Sequence, residues 1–250
     1  GSRPERRGID PFVRVSWDQS NQIVAAELDR VIAAHGNEVI YAGSYGWASA
    51  GRFHHAPGQL HRFLNALGGY TKSVNTYSFA AAEVIVPHVI GHFRNYIYNQ
   101  TSWTSVRDHC QLFVAFGGVA LKNGQIGQGG LGRHIQKESI LEAHKNGVEF
   151  ISVSPLRSDM IDDVDAAWLS IRPNSDAALM IGLCHVLFDE GLHDRAFLDR
   201  YCVGFDQFAD YLTGAIDGIV KDAAWAGAIC AMDAEAIKAL ARRMAKSRTM

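Results

Sequence analysis

Apolar and polar positions change their spacing several times along the chain, and each change predicts a different element. Ile23, Val24, Ala26, Leu28, Val31 and Ile32 recur at helical spacing after Ser16 and Asp18, which predicts a helix entered through a side-chain cap. Residues 38–42 then read as a short buried strand closed by Gly43. Leu60, Phe63, Leu64 and Leu67 form a second helical face that stops at Gly68-Gly69, where glycine readily takes the left-handed conformation that ends helices. A polar stretch leads to Ser78, and residues 79–90 form an apolar run that predicts another helix.

Two runs carry apolar residues without alternation: Gln-Leu-Phe-Val-Ala-Phe at 111–116 before Gly117-Gly118, and Val-Glu-Phe-Ile-Ser-Val at 148–153 before Ser154-Pro155. Strands of this kind are buried on both faces, as in parallel sheets. A helical pattern over 139–145 separates them, and residues 168–171 supply a further short strand before a helix over 175–188. From Asp194 onward the pattern is helical only, over 194–201, 205–212, 222–229 and 234–245, with this part expected to pack over the sheet. The expected fold class is α/β: doubly wound, mainly parallel sheets with flanking helices and a helical C-terminal part, ligands sitting at the C-terminal ends of the strands. Residues 1–100 are expected to form an α/β segment, and residues 101–250 a Rossmann-like segment.

Composition narrows the classes. Hydrophobic residues make up 48% and charged residues 20% of the 250, with a formal net charge of −2, as in ordinary soluble globular proteins. No stretch gathers Lys and Arg into a basic stripe, so no nucleic-acid partner is expected. No apolar run approaches the ~20 residues that cross a bilayer, so no membrane insertion is expected. Residues 1–8 are rich in Arg and lack the apolar core of a signal peptide. Cys110, Cys184, Cys202 and Cys230 form no C-x-x-C and are expected to be buried thiols. Both ends read as cuts within a longer protein, with a strand expected after Met250.

Several segments carry candidate chemistry. Tyr41-Ala-Gly-Ser-Tyr-Gly-Trp47 places glycines and aromatics just past a strand end, a position that either binds ligand or closes a turn over the core. Gly117-Gly118 lets backbone approach a phosphate, with Lys122-Asn123 nearby to supply charge and amide contacts. Gly127-Gln-Gly129-Gly-Leu-Gly132 fits G-x-G-x-x-G in letters but lies too far beyond its strand for the tight first turn of a dinucleotide site. Adjacent His54 and His55 point apart on a helix, and His88 and His92 have no acidic partner to complete a metal site. Taken alone, Ser78 is an N-cap before Phe79.

In order along the chain, Pro11-Phe-Val-Arg-Val-Ser-Trp-Asp18, Ala42-Gly-Ser-Tyr-Gly-Trp47, Leu67-Gly-Gly-Tyr-Thr71, Asn75-Thr-Tyr-Ser-Phe-Ala-Ala-Ala82, Thr101-Ser-Trp103, Val153-Ser-Pro-Leu-Arg157, Arg172-Pro-Asn-Ser-Asp-Ala-Ala-Leu-Met180 and Gly191-Leu-His-Asp-Arg-Ala-Phe-Leu198 resemble the dimethyl sulfoxide reductase family. These bacterial enzymes carry molybdenum on bis(molybdopterin guanine dinucleotide). The resemblance implies reduction of a small S-oxide or N-oxide with electrons from an unidentified donor. It matches Ser78 to the serine whose side-chain oxygen ligates molybdenum, a hard donor suited to a high-valent metal. It matches Tyr45 and Trp47 to hydrogen-bond donors at the transferred oxygen, and Tyr45 favours S-oxides over N-oxides. It also implies cofactor contacts from Tyr45, Gly46, Trp47, Ser49, Lys122, Asn123, Ser154, Pro155, Asn174, Ser175 and Asp176. Asp176 there accepts from guanine N1–H and its amino group, or caps the following helix.

The chain departs from the family pattern in Phe79-Ala-Ala-Ala and in Val119-Ala-Leu-Lys-Asn123, changes that point toward a biotin sulfoxide reductase-like branch. Two other readings remain: a cofactor-binding fragment without catalysis of its own, and a doubly wound nucleotide-binding domain that has lost molybdenum. A bacterial soluble protein is implied, and no segment distinguishes periplasm from cytoplasm.

Overall fold

The computed structural model describes residues 3–44, 46, 53–125 and 133–250. The chain divides into two compact units, one within residues 1–90 and the other within 91–250.

In the first unit, helix α1 (Trp17–His35) starts with a reciprocal capping box: Gln19 N–H donates to Ser16 Oγ at 3.2 Å, and Ser16 N–H donates to Gln19 Oε1 at 3.0 Å. Two otherwise orphaned amide donors are thereby satisfied. The strand expected over 38–42 is shorter than the sequence pattern suggests. Residues Asn37–Val39 form a 3-10 turn, and only Tyr41–Ala42 pairs as β1. Asn37 explains this, since its side-chain amide donates to the carbonyls of Leu67 and Gly69 at 3.1 and 3.0 Å and ties the turn to the end of the next helix. That helix is α2 (Ala56–Ala66), capped by His55 Nδ1 accepting from Gly58 N–H. Strand β2 (Thr71–Lys72) then lies parallel to β1, with Tyr41 opposite Thr71. The expected helix over 79–90 is α3 (Ala80–Ile85) followed by a 3-10 turn at Val86–His88, where Pro87 removes an amide donor.

The second unit opens with α4 (Phe93–Tyr98) and α5 (Trp103–His109), both unforeseen because seven residues or fewer give too few repeats to show a period. A parallel sheet follows in the order β3 (Leu112–Phe116), β4 (Glu149–Val153), β5 (Ala167–Leu169), with α6 (Gln136–Lys145) crossing between the first two. The extended backbone at 248–250 runs beside β3 on its other side, with Leu112 opposite Thr249.

Both faces of the sheet are covered, as the unbroken apolar runs require. Leu112, Val114, Ile151 and Val153 pack on one face against α7 (Asp176–Asp189) and its neighbours, while Ala115 and Phe150 face Val106 and Ile140 on the other. After α8 (Arg195–Tyr201) and α9 (Phe205–Leu212), α10 (Ala223–Cys230) and α11 (Ala234–Lys246) complete the first cover. Helices α7 and α10 pack closely, since a Cβ on Gly182 would lie 2.5 Å from the Ala226 Cβ. Cys230 is fully buried, as expected of the thiols, but Cys202 is exposed because it stands at the C-terminal cap of α8. Among the described residues no helix is long and apolar enough to cross a membrane.

One polar device is built into this half. The Lys221 side chain is 3% exposed, and its ammonium donates to both Asp217 carboxylate oxygens at 2.8 Å and to Ile219 O at 2.6 Å. It also lies 4.3 Å from the centre of the Tyr211 ring. The hydrogen bond from Lys221 holds the Asp217 carboxyl below the usual carboxylate range. A carboxylate with a lowered folded-state pKa adds stability above its unfolded value, and that contribution is lost as pH falls through the folded value. Urea midpoints measured from pH 6 downward should therefore show an acid-dependent loss in the wild type that is weaker in Asp217→Asn, which should be less stable at neutral pH because it leaves a buried ammonium without its partner.

Candidate functional site

Parallel strands direct all their C-terminal ends one way, so in each unit the loops leaving those ends gather on one edge. In the first unit, β1 ends at Gly43-Ser44 and β2 runs into Ser73–Ser78. Tyr41, Ser44, His61, Ser73, Asn75 and Tyr77 line a cavity of about 400 Å³ between them. Asn75 takes a left-handed φ of 73° while its Oδ1 accepts from Thr76 N–H at 2.8 Å, and this turns the chain toward Ser78. Ser78 N–H donates to Thr76 Oγ1 at 3.4 Å. The N-cap of α3 is Phe79, so the capping role open to Ser78 on the sequence alone is not the one it fills. Gly46 is half-buried. Tyr45, Trp47 and Ser49, and the Gly127–Gly132 glycine pattern, lie outside the described residues.

In the second unit, register places the strand ends in one row: Phe116 is opposite Val153, and Val153 is opposite Leu169. Gly117-Gly118, Ser154-Pro155 and the segment leading to Asn174–Asp176 therefore leave the sheet side by side. Gly117 and Gly118 have φ of 86° and 75°. Gly118 must be glycine, because a Cβ there would stand 2.5 Å from the Asp159 Cβ and carbonyl oxygen. Val119 N–H donates to that same carbonyl at 2.7 Å.

Ser154 is fully buried, and its hydroxyl donates to Asp159 Oδ2 at 2.6 Å while accepting from Leu156 N–H at 3.3 Å. The hydroxyl thus locks the loop, and the Ser154 N–H is also engaged, donating to Leu169 O at 3.2 Å. Trp168 fixes the same residue by donating Nε1–H to Ser154 O at 2.8 Å. Neither Asp159 nor Trp168 was a sequence candidate. Asp159 sits on a 3-10 turn that no periodicity marks, and Trp168 read as an ordinary strand residue.

Most of the remaining candidates are polar side chains without a partner among the described residues. Lys122 and Asn123 lie exposed on a 3-10 turn, Leu121–Asn123. Asn174 has a left-handed φ of 62°, and Ser175 Oγ donates to Arg172 O at 2.6 Å rather than capping α7. Asp176 is the first residue of α7, and neither it nor Lys122 makes a side-chain hydrogen bond or ion pair among the described residues. A free ammonium and a free carboxylate at one row of strand ends suit a ligand carrying both phosphate and a donor edge. On the sheet face beside β4 and β5, a cavity of about 560 Å³ is lined by Ser152, Arg157, Asp162, Asp165 and Trp168. The buried Ser152 hydroxyl has no hydrogen-bond partner among the described residues.

Among the described residues no group of three or more His, Cys, Asp or Glu side chains could hold a metal.

Comparison with known proteins places the chain in a family. The molybdopterin oxidoreductase family profile matches residues 3–246. A biotin sulfoxide reductase of Cereibacter sphaeroides is 44% identical over 244 residues, covering 98% of this chain and 33% of that protein. A dimethyl sulfoxide/trimethylamine N-oxide reductase of the same organism is 41% identical, and a trimethylamine-N-oxide reductase of Haemophilus influenzae is 38% identical, each matched over 98% of this chain and 29% of its own length. The chain thus spans about a third of the length of these relatives. Acetylene hydratase from Pelobacter acetylenicus superposes with a TM-score of 0.55 over 94% of this chain and 28% of its own, at 23% identity, a likeness of fold.

If Ser154 acts as the lock, Ser154→Ala should leave the Asp159 carboxylate short of a donor and lower the unfolding free energy by about 1–3 kcal/mol. Urea denaturation reads this directly, and an unchanged midpoint would remove Ser154 from that role.

Proposed function

Because the chain belongs to the molybdopterin oxidoreductase family, we propose that its parent protein reduces small S-oxides or N-oxides, with Ser78 as the protein ligand to molybdenum. The observation that carries this reading is the place of Ser78 on the loop leaving β2, directly after Tyr77, which lines the cavity at the ends of β1 and β2. The relatives named for biotin sulfoxide, dimethyl sulfoxide and trimethylamine N-oxide support it. Molybdenum on a pair of molybdopterin guanine dinucleotides would supply the oxygen-atom acceptor that, once reduced, gives two electrons to the oxide. Overall, the oxide, two electrons from a donor and two protons give the reduced substrate and water.

The chain's own part is to bind, orient and donate. In this reading residues 1–100 carry the metal and substrate side, and residues 101–250 the dinucleotide side. Lys122 and Asn123 meet phosphate and pterin, while Ser154 and Pro155 flank the nucleotide. Asn174, Ser175 and Asp176 meet guanine, with Asp176 accepting from its N1–H and amino group. Tyr45 and Trp47 donate hydrogen bonds where negative charge grows on the departing oxygen, and Gly46 and Ser49 shape the loop between them and the cofactor. Donors held in place before reaction stabilise that charge without reorganising. The presence of Tyr45 favours S-oxides.

The test is the full-length protein, wild type and Ser78→Ala, analysed for molybdenum and guanine and assayed for reduction of methionine sulfoxide and biotin sulfoxide. Wild type should carry one metal per two guanines, and Ser78→Ala should lose turnover by about 10²-fold or more, the scale seen when a group acting at the reaction centre is removed. A wild type that binds neither metal nor pterin would sink the proposal.

A further inference from the structure

Water is the second product of oxide reduction, so two protons must enter a cavity that also holds the substrate. Around the cavity at the ends of β1 and β2, the described lining residues include no carboxylate, lysine or arginine. The titratable side chains are the phenols of Tyr41 and Tyr77 and the imidazole of His61. Imidazole is the only one of these whose ordinary titration falls between pH 5 and 8.

His61 reaches the cavity from α2, which runs from Ala56 to Ala66, and is half-buried there. Its Nδ1 is hydrogen-bonded to the hydroxyl of Tyr70, and the two rings stack at 5.6 Å with an interplanar angle of 27°. Tyr70 directly precedes β2, so the same backbone that leads into the Ser78 loop also fixes the imidazole. A hydroxyl is both donor and acceptor. It can donate to neutral Nδ1, and it can accept from Nδ1–H when the ring is charged. Tyr70 can therefore hold the ring in one orientation through a full protonation cycle, leaving Nε2 as the nitrogen that gains and loses the proton.

Resting on the oxide-reductase reading above, we propose that His61, held by Tyr70, delivers protons from solvent to the oxygen leaving the substrate. The imidazolium Nε2–H bond breaks as an O–H bond forms, directly or through one water. The neutral ring then recovers a proton from solvent, while the two electrons come from the enzyme's reductant. His61 is a proton-delivery residue and Tyr70 a positioning residue; neither is asked to bind the metal.

The test uses the full-length cofactor-loaded protein with a reduced viologen dye as electron donor and methionine sulfoxide as substrate. His61→Asn should lower kcat by about 10²-fold, the lower end of what general acids contribute, with KM, molybdenum and guanine content unchanged. Because the donor must be protonated, wild-type kcat should fall toward alkaline pH, and this limb should be absent from His61→Asn. Free imidazole in the buffer should restore part of the lost rate. Separately from turnover, the ¹⁵N signal assigned to His61 by its loss in His61→Asn should move in Tyr70→Phe. Full activity and an unchanged pH profile in His61→Asn would overturn the proposal, as would loss of activity without imidazole rescue or with loss of cofactor. If wild type itself reduces no oxide, it is the oxide-reductase reading that fails, whereas an active wild type beside an unaffected His61→Asn fails only the relay.

Discussion

Two central strands with apolar side chains on both faces cannot border water, and the larger unit is arranged around that demand. Leu112, Val114, Ile151 and Val153 point one way, while Ala115 and Phe150 point the other. Two layers of helix are needed to cover them. Covering both faces of neighbouring strands favours parallel pairing with crossovers between them. Parallel pairing in turn brings Gly117, Ser154 and the segment after Leu169 out along one edge. A candidate ligand edge is thus a by-product of hydrophobic burial, and the polar residues there need only be the right ones.

Much of this was legible because the signals were long or chemically sharp. The unbroken runs at 111–116 and 148–153 marked their strands within a residue, and the helices expected over 194–201, 222–229 and 234–245 are entered at Asp194, Asp222 and Asp233, whose carboxylates each accept from a backbone amide. Short elements escaped. Strand β2 has two residues, and its pairing with β1 depends on Asn37 reaching the carbonyls of Leu67 and Gly69, about 30 positions away. No local pattern encodes that reach. The expected strand over 38–42 shrank for the same reason.

The candidate site divides along similar lines. Ser78, Lys122 and Asp176 could be singled out by motif, since their residue types and neighbours are distinctive. Asp159 could not, because its importance comes from what it touches: the Ser154 hydroxyl, the Val119 amide and the space beside Gly118. Tyr45, Trp47 and Ser49 rest on the motif alone. His61 was not among the sequence candidates, and only the packing of α2 near the β1 and β2 ends sets it beside Tyr70.

The two strands that carry the Ser78 loop are two residues each. So short a ladder has little stiffness of its own, and isolated strand pairs are marginal in water. Whatever occupies the cavity between their ends therefore acts as a structural member as well as a reagent. By mass action, a ligand that binds only the ordered loops stabilises them in proportion to the logarithm of its concentration over its dissociation constant. In this unit, filling of the cavity and ordering of the loops around it would be one thermodynamic event.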